Sequence, residues 1–339
     1  MTRRDHFSAL PAYFGGKRRL TSSIFALLNG RIERAAWSAL TFVDPFLGGG
    51  SVSLDAKRRG FEVRCNDLAL RSAVVGRALV ENGSIRIGDA DLAVLLGQPA
   101  GAYPHIAETR YSPSVLPRAH AVLLDRALHN LGQFAEPTRS LMMLLIIKWT
   151  LRVQPMSMLR GTDARAANEG DLDCVSPRRL GHYLAAEKLL TAAAWRRLAA
   201  DVNAGSFPGT GTVSQCDAIE FLRSIEGDVV YLDPPYPGTT SYEKEYAVLD
   251  DLLEGTTREV SAYSKSPAAL PALFEACAHI PTWIVSLNNA VLTLQEVEAL
   301  IRPHRPNVQS IQVPYRHLAS IASEGKNAQN REYLVIATT

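Results

Sequence analysis

Four consecutive residues, Asp233-Pro234-Pro235-Tyr236, combine groups that can hold a planar amine. The two prolines remove two backbone donors and fix two φ angles, so the tetrapeptide is predicted to form a stiff loop. The exocyclic amine of a nucleobase is a poor nucleophile because its lone pair is delocalised into the ring. The Asp233 carboxylate and the Pro234 carbonyl can accept both N–H groups and localise that lone pair while a methyl group arrives.

The aromatic residue of the same loop adds a second contact. Tyr236 can stack on the base, a contact worth roughly 1–3 kcal/mol. The apolar run directly before the loop, residues 229–232, is β-branched and aromatic and predicts a buried strand. The alternative is a proline-rich turn in which Asp233 is only a turn residue. The tetrapeptide alone does not decide between the two, so the rest of the chain must.

Two further predicted strands end in acids. Residues 40–43 read as a strand ending at Asp44, followed by a glycine turn and a helix over 51–59. Residues 61–65 read as the next strand, and Asp67 follows Gly50 at about the distance at which dinucleotide-binding folds place a ribose-binding acid. The full G-x-G-x-x-G pattern is missing, which favours S-adenosylmethionine over NAD. Either acid can instead be a turn residue at a strand end.

The glycines near the N-terminus do not form a phosphate-binding loop. Gly15-Gly16-Lys17 lacks the first glycine of that motif, and Arg18 stands where a hydroxyl residue is required. Residues 13–28 read as a loop that leads into an amphipathic helix. A site role for Lys17 therefore competes with a solvated basic patch at a helix start.

Taken together, these motifs resemble in type and order those of the Dam-type DNA adenine methyltransferases, the D12 class. The residues that carry the resemblance are Tyr13-Phe14-Gly15-Gly16-Lys17, Asp44-Pro45-Phe46-Leu47-Gly48-Gly49-Gly50-Ser51, Asn66-Asp67 and Asp233-Pro234-Pro235-Tyr236. It covers residues 10–83 and 212–339, in the motif order called alpha. It implies an α/β, Rossmann-like fold with a seven-stranded, mostly parallel sheet and a helical insertion.

The resemblance also implies roles for individual residues. Lys17 and its glycines would lie against the methyl donor and the active-site loop. Asp44 would face the methionine part of the donor and Asp67 its ribose, while Asp217 with Ala218 would read its adenine amine. The donor-binding residues expected in this way are Tyr13, Gly15, Gly16, Lys17, Asp44, Phe46, Gly48, Gly50, Ser51, Asp67, Asp217 and Ala218.

The middle of the chain differs in composition. We predict a catalytic domain from residues 1–83 and 205–339 and a mainly helical target-recognition insertion over 84–204, with a short strand at 85–87, a buried helix at 139–153 and a long helix at 178–202. Residues 137–200 carry ten Lys and Arg against five Asp and Glu, which suits DNA. The expected DNA contacts are Arg152, Arg160, Arg165, Arg178, Arg179 and Tyr242. The family's usual signature is absent here, so the recognition sequence stays open.

Composition limits the alternatives. The net charge of +2 over 339 residues does not by itself indicate a nucleic-acid partner. The four cysteines have neither metal-ligand nor disulfide spacing, and none follows a proline, which argues against the covalent chemistry of cytosine C5 methyltransferases. No apolar run has transmembrane length and no signal peptide is evident, so a cytoplasmic protein without a membrane partner or metal is expected.

The sequence therefore predicts a site-specific enzyme that transfers a methyl group from S-adenosylmethionine to N6 of adenine in double-stranded DNA, with base flipping. The family is typical of restriction-modification systems, but whether a restriction enzyme accompanies this protein stays open, and a monomer is favoured over a dimer. Methylation of cytosine N4 stays open because both amines satisfy the same acceptors. A catalytically silent DNA-binding module of the same fold is the alternative from another class.

Overall fold

The computed structural model describes residues 5–154, 177–236, 242–255, 266–314 and 331–339. Seven strands form one sheet in the order β3-β2-β1-β4-β5-β7-β6. The strands are β1 Thr41–Asp44, β2 Glu62–Asn66, β3 Gly211–Ser214, β4 Val229–Leu232, β5 Thr282–Asn288, β6 Asn307–Pro314 and β7 Arg331–Thr338. Only β7 runs against its neighbours. The predicted Rossmann-like, seven-stranded and mostly parallel sheet is confirmed, with β7 antiparallel to both of its neighbours.

Thirteen helices accompany the sheet in the described part of the chain. They are α1 Thr21–Asn29, α2 Ser51–Arg58, α3 Leu70–Val75, α4 Asp89–Leu96, α5 Ile106–Tyr111, α6 Arg118–Asn130, α7 Thr138–Val153, α8 Pro177–Glu187, α9 Ala192–Asn203, α10 Ala218–Ser224, α11 Tyr242–Glu254, α12 Leu270–Ala276 and α13 Leu294–Ile301. Helix α3 continues as a π-helical turn over Gly76–Glu81. Among the described residues, no helix is both long and apolar enough to cross a membrane.

The strand order places the site. Strand β1 lies between β2 and β4, and the chain leaves β1 toward β2 on one side and reaches β4 later on the other. In an open parallel sheet, such a reversal of strand order leaves a crevice at the carboxyl ends of the two central strands. Asp44 ends β1, and Asp233 directly follows β4. The sheet therefore brings together two acids that are far apart in the sequence.

Apolar side chains cover both faces of the sheet. Phe25, Trp37 and Phe61 pack on one face, while Trp283 and Phe274 pack on the other. Strand β4 is buried along its whole length, as its β-branched and aromatic residues predict. Because side chains pack on both of its faces, the sheet is rigid and can hold the loops at its edge in fixed positions.

The helices of residues 84–204 share a core with the catalytic part. Helix α7 is buried almost all round, as predicted, and its Trp149 stacks on Trp195 of α9 with ring centres 5.1 Å apart. Leu54 of α2 and Val74 of α3 belong to the same apolar cluster. Lys148 of α7 donates from Nζ to the carbonyls of Ser8 and Leu10, both at 2.8 Å. The helices of residues 84–204 are thus continuous with the core around α2 and α3.

The predicted strand at residues 85–87 is wrong. Two asparagine side chains satisfy this backbone in place of a neighbouring strand. Asn82 Oδ1 accepts from the N–H groups of Ser84 and Ile85. Asn203 accepts from the Ile87 N–H at 2.8 Å and donates to the Ile87 carbonyl at 2.9 Å. Alternating apolar residues were the only signal for a strand, and amide side chains supplied the hydrogen bonds instead.

The predicted long helix at 178–202 is also wrong, because it is divided into α8 and α9. A 3₁₀ turn over Lys188–Leu190 separates them, and Thr191 caps α9 by accepting from Ala194 N–H. Trp149 Nε1 donates to the Leu189 carbonyl at 2.9 Å. A threonine cap and a carbonyl taken by a tertiary contact together end the first helix.

Candidate active site

A cavity of about 230 Å³ opens at the carboxyl ends of the strands. Its walls come from the segment before α1, the β1–α2 turn, the end of β2, the β3–α10 loop and the loop after β4. Eleven of the residues predicted to bind the donor line it: Tyr13, Gly15, Gly16, Lys17, Asp44, Phe46, Gly48, Ser51, Asp67, Asp217 and Ala218. From the predicted catalytic loop, Asp233 and Pro235 line it as well. Whether these residues bind a donor remains a prediction.

Gly50, also predicted to bind the donor, does not line the cavity. Its φ is +76°, and a Cβ there would lie 2.7 Å from Val75 Cγ1. Gly50 therefore serves the turn into α2 and close packing against α3. Gly49, which was not predicted, lies in the wall instead, where a Cβ would approach Tyr13 Cβ to 2.7 Å. The glycine run lets Tyr13 lie directly on the turn.

Asp44 is buried at the end of β1. It accepts from the Ser53 hydroxyl at 2.6 Å and from the Phe46 N–H at 3.2 Å. Burial raises the pKa of Asp44 to about 7, against the effect of the Ser53 hydrogen bond. The cavity wall thus holds an acid that is costly to ionise unless a cation binds beside it.

The raised pKa of Asp44 predicts a pH-dependent stability. Its ordinary value is 3.8, so between pH 4 and 7 the folded state binds more protons than the unfolded state. The free energy of unfolding should fall as pH rises through this window, by a total on the order of 4 kcal/mol. We expect donor-free Asp44→Asn to be more stable than wild type at pH 8 and about equally stable near pH 4. Urea denaturation at several pH values measures this, and a stability difference independent of pH would contradict it.

The other two acids are both turn residues and cavity residues. Asp67 accepts from Gly48 N–H at 2.8 Å and from Ala69 N–H at 2.9 Å, and burial raises its pKa. Asp217 caps α10 by accepting from Ile219 N–H at 2.8 Å. A role in the turn and a role in ligand binding are therefore compatible for these acids, because each carboxylate oxygen has a second lone pair to offer a ligand.

Lys17 and Asp233 form a buried ion pair at the cavity wall. Lys17 is 3% exposed, so the alternative of a solvated basic patch is wrong. Its Nζ lies 2.9 Å from Asp233 Oδ2 and donates to the Gly15 carbonyl at 3.1 Å. Burial raises the pKa of Asp233, and Lys17 opposes that rise. The glycine segment and the loop after β4 are joined through this pair.

Tyr236 does not present its ring to the cavity in this structure. It is 2% exposed within the core, and its hydroxyl contacts Asp233 Oδ1 at 3.0 Å and Glu332. The Lys17 ammonium lies 4.9 Å from the ring centre. Pro234 is buried too and is not part of the wall. Stacking of Tyr236 on a base would require the ring to leave this position.

Some cavity residues were missed in the sequence. Leu68 follows the acid of β2, lines the cavity and is 53% exposed, which is unusual for an apolar side chain. Asn66 joins three strand ends, since its Nδ2 donates to the Pro45 and Cys216 carbonyls at 3.3 and 3.0 Å. Arg71 of α3 lines the wall as well. The sequence held one local signal for these residues, namely that the apolar Leu68 directly follows Asp67.

Helix α11, which follows the catalytic loop, packs on the donor side of the cavity. Tyr246 stacks on Tyr13 with ring centres 5.3 Å apart and accepts from the Phe14 N–H at 3.1 Å. Asp250 makes a buried ion pair with Arg71, whose guanidinium lies 4.2 Å from the Tyr246 ring centre. Tyr246 thus packs on the segment before α1 through both its ring and its hydroxyl.

The structure constrains the predicted DNA contacts only in part. Arg152 is half exposed and pairs with Asp201 at 3.3 Å. Arg160 and Arg165 lie outside the described residues. Arg178 and Arg179 belong to α8 and Tyr242 begins α11, but their side chains are not among those described. Their contact with DNA remains a prediction.

A Rossmann-like sheet with an acid at the end of β1, another directly after β2 and a third after β4 has the arrangement expected of a nucleotide-type site at the strand ends. Comparison with known proteins agrees. The sequence model of the D12 class N6 adenine-specific DNA methyltransferases matches residues 13–97. The chain is 23% identical over 345 aligned positions to a Type II methyltransferase, M2.HphI, of Haemophilus parahaemolyticus, with 96% of each chain covered. The resemblance predicted from the motifs is confirmed, and with it the enzyme class, a DNA adenine-N6 methyltransferase.

Proposed function

We propose that this chain transfers the methyl group of S-adenosylmethionine to N6 of an adenine in a specific sequence of double-stranded DNA. The observation that carries the proposal is the position of Asp233. It faces the same cavity as Asp44 and Asp67, and a buried lysine holds its carboxylate at 2.9 Å. An amine bound at Asp233 would therefore lie beside whatever occupies the strand-end cavity.

The chemistry of the cavity suits this donor. S-adenosylmethionine carries a sulfonium, an ammonium group, a ribose and an adenine. Asp44 is a buried acid that a neighbouring cation would stabilise in its ionised form. Asp67 can accept from ribose hydroxyls and Asp217 from an adenine amine, while Phe46 and Leu68 offer apolar contact to a ring. One edge of the sheet thus carries acids for the polar groups of the donor and apolar side chains for its ring.

The target base must leave the duplex to reach Asp233. Asp233 lies in a cavity wall with a side chain only 16% exposed, which a base still stacked in DNA cannot approach. Extruding a base costs a few kcal/mol. Asp233 then accepts an N–H of the amine, and Lys17 keeps the carboxylate in place. Fixed geometry and preorganised polarity supply the rate enhancement.

The helical insertion, residues 84–204, is the proposed target-recognition region, and residues 1–83 and 205–339 the catalytic domain. Support comes from the ten basic residues of 137–200 against five acidic ones. Arginines there can contact phosphates and base edges. The core shared by α7, α2 and α3 would hold such a surface rigidly relative to the donor cavity.

The test is a nucleoside analysis. Purified protein is incubated with methyl-labelled S-adenosylmethionine and mixed-sequence duplex DNA, and the DNA is digested and its nucleosides separated. Label in N6-methyl-deoxyadenosine, lost in Asp233→Ala, is the expected result. Label in N4-methylcytosine would keep the mechanism but change the substrate. Absence of label, with donor binding intact, would overturn the proposal in favour of a silent DNA-binding module or of RNA as substrate.

A further inference from the structure

Glu332 is a buried carboxylate directly behind the proposed acceptor Asp233. Strand β7 runs antiparallel, so its first residues lie where β5 ends, and Glu332 pairs in register with Asn288. The side chain of Glu332 is fully buried. Neither the donor nor the base, as proposed above, requires it. A buried acid beside a reaction centre is a candidate for a function of its own.

Three neighbours bind the same oxygen of Glu332. Oε1 accepts from the Ser286 hydroxyl at 2.5 Å and from the Tyr236 hydroxyl. Lys17 Nζ, the partner of Asp233, lies 3.5 Å from it. The residue is therefore fixed against β5 and contacts the loop after β4 at Tyr236 and, through Lys17, at Asp233.

The Tyr236 hydroxyl lies between two carboxylates. It is 3.0 Å from Asp233 Oδ1 and in short contact with Glu332 Oε1. A phenol has one proton, so it can donate to only one of them at a time. When Asp233 is protonated, its O–H can donate to the Tyr236 oxygen while Tyr236 donates onward to Glu332. This is the geometry of a two-step proton path.

We propose that Glu332 receives, through the Tyr236 hydroxyl, the proton that the target amine loses on methylation. The proposal rests on the proposed function. As the amine nitrogen bonds to the methyl carbon, the sulfur–carbon bond breaks and the sulfur keeps that electron pair. The nitrogen gains positive charge as that bond forms, and it gives one proton to Asp233 in the same step. Asp233 passes a proton to the Tyr236 oxygen as the Tyr236 proton moves to Glu332, which leaves a neutral methylated base and an ionised Asp233.

The charges around Glu332 favour such a transfer. Among the described residues, the titratable groups that interact with it or with Asp233 include Lys17, Tyr236, Tyr231 and Asp44. Of these described groups Lys17 carries the positive charge, so ionising both Asp233 and Glu332 beside it adds like charge to this buried cluster, and a proton relieves it. Glu332 itself contributes to the raised pKa of Asp233, after burial. Glu332 therefore acts as a positioning residue that also sets the basicity of Asp233.

The test compares pH profiles of single-turnover methyl transfer in wild type, Glu332→Gln, Glu332→Asp and Tyr236→Phe. Removing the negative charge of Glu332 should lower the pKa of Asp233 and shift the acidic limb of the profile to lower pH. The plateau rate should fall about 100-fold in Glu332→Gln and in Tyr236→Phe, because proton transfer is impaired. Glu332→Asp should return the limb toward the wild-type position.

Glu298→Gln is the matched control, since Glu298 lies on α13 and pairs with Arg302 and Ser310 outside the cavity. Its profile should equal that of wild type. An unshifted acidic limb in folded Glu332→Gln, or a wild-type plateau rate in Tyr236→Phe, would overturn the inference. Tyr236→Phe removes only the hydroxyl and leaves both carboxylates in place, so it tests the proton path even if Glu332→Gln does not fold. A wild-type enzyme without activity on DNA would instead refute the proposed function.

Discussion

Asp233→Asn is expected to lower the single-turnover rate of methyl transfer by about 1,000-fold, with donor affinity nearly unchanged. The amide has nearly the shape of the carboxylate but no charge, so it is a weaker acceptor for the amine. It also removes the negative charge that now lies 2.9 Å from the buried Lys17 Nζ. The measurement is rapid-quench methyl transfer with saturating donor and DNA, beside donor binding by calorimetry.

A matched control lies at the other end of the same strand. Asp228 precedes β4 and accepts from the Thr41 N–H at 2.8 Å, at the edge opposite the cavity. Asp228→Asn makes the same chemical change there, and its single-turnover rate should stay close to wild type. Equal losses in the two variants would mean that the effect comes from strand stability rather than from chemistry at Asp233.

The strand-end acids could be predicted because the signals for them are local. A short β-branched run predicts a buried strand, and an acid or a proline directly after it marks the sheet edge. Asp44, Asp67 and Asp233 come together for that reason. Parallel strands bring their carboxyl ends to one edge whatever the length of chain between them.

Contacts between distant segments could not be predicted in this way. Tyr236 was expected to stack on a base, but Glu332, 96 residues later, holds its hydroxyl in the core. Asn82 and Asn203 replace the expected strand at 85–87 by side-chain hydrogen bonds, which a pattern of apolar residues does not reveal. Gly50 was assigned to the donor, yet its neighbour across the turn is Val75. In each of these cases, a contact with a residue distant in the sequence determined the observed structure.

The buried ion pair between Arg71 and Asp250 is expected to carry a large share of the stability of α11. Asp250 is fully buried and Arg71 is 6% exposed. Removing one partner leaves an uncompensated buried charge, so Arg71→Met and Asp250→Leu should each lower the free energy of unfolding by about 3–5 kcal/mol. The double variant should regain most of that loss, since neither charge of the pair remains buried. Urea denaturation of the four proteins forms the double-mutant cycle.

The neighbouring pair provides the control. Arg110 is 55% exposed and bonds to Asp251 at 3.0 Å, where Tyr111 also donates to the carboxylate. Arg110→Met should therefore cost less than about 1 kcal/mol. Arg71 lines the cavity and lies on Tyr246, which stacks on Tyr13. Donor affinity should fall in Arg71→Met but not in Arg110→Met, because only the first loosens the wall between α11 and the donor cavity. Equal donor affinities in the two variants would show that α11 does not shape the site.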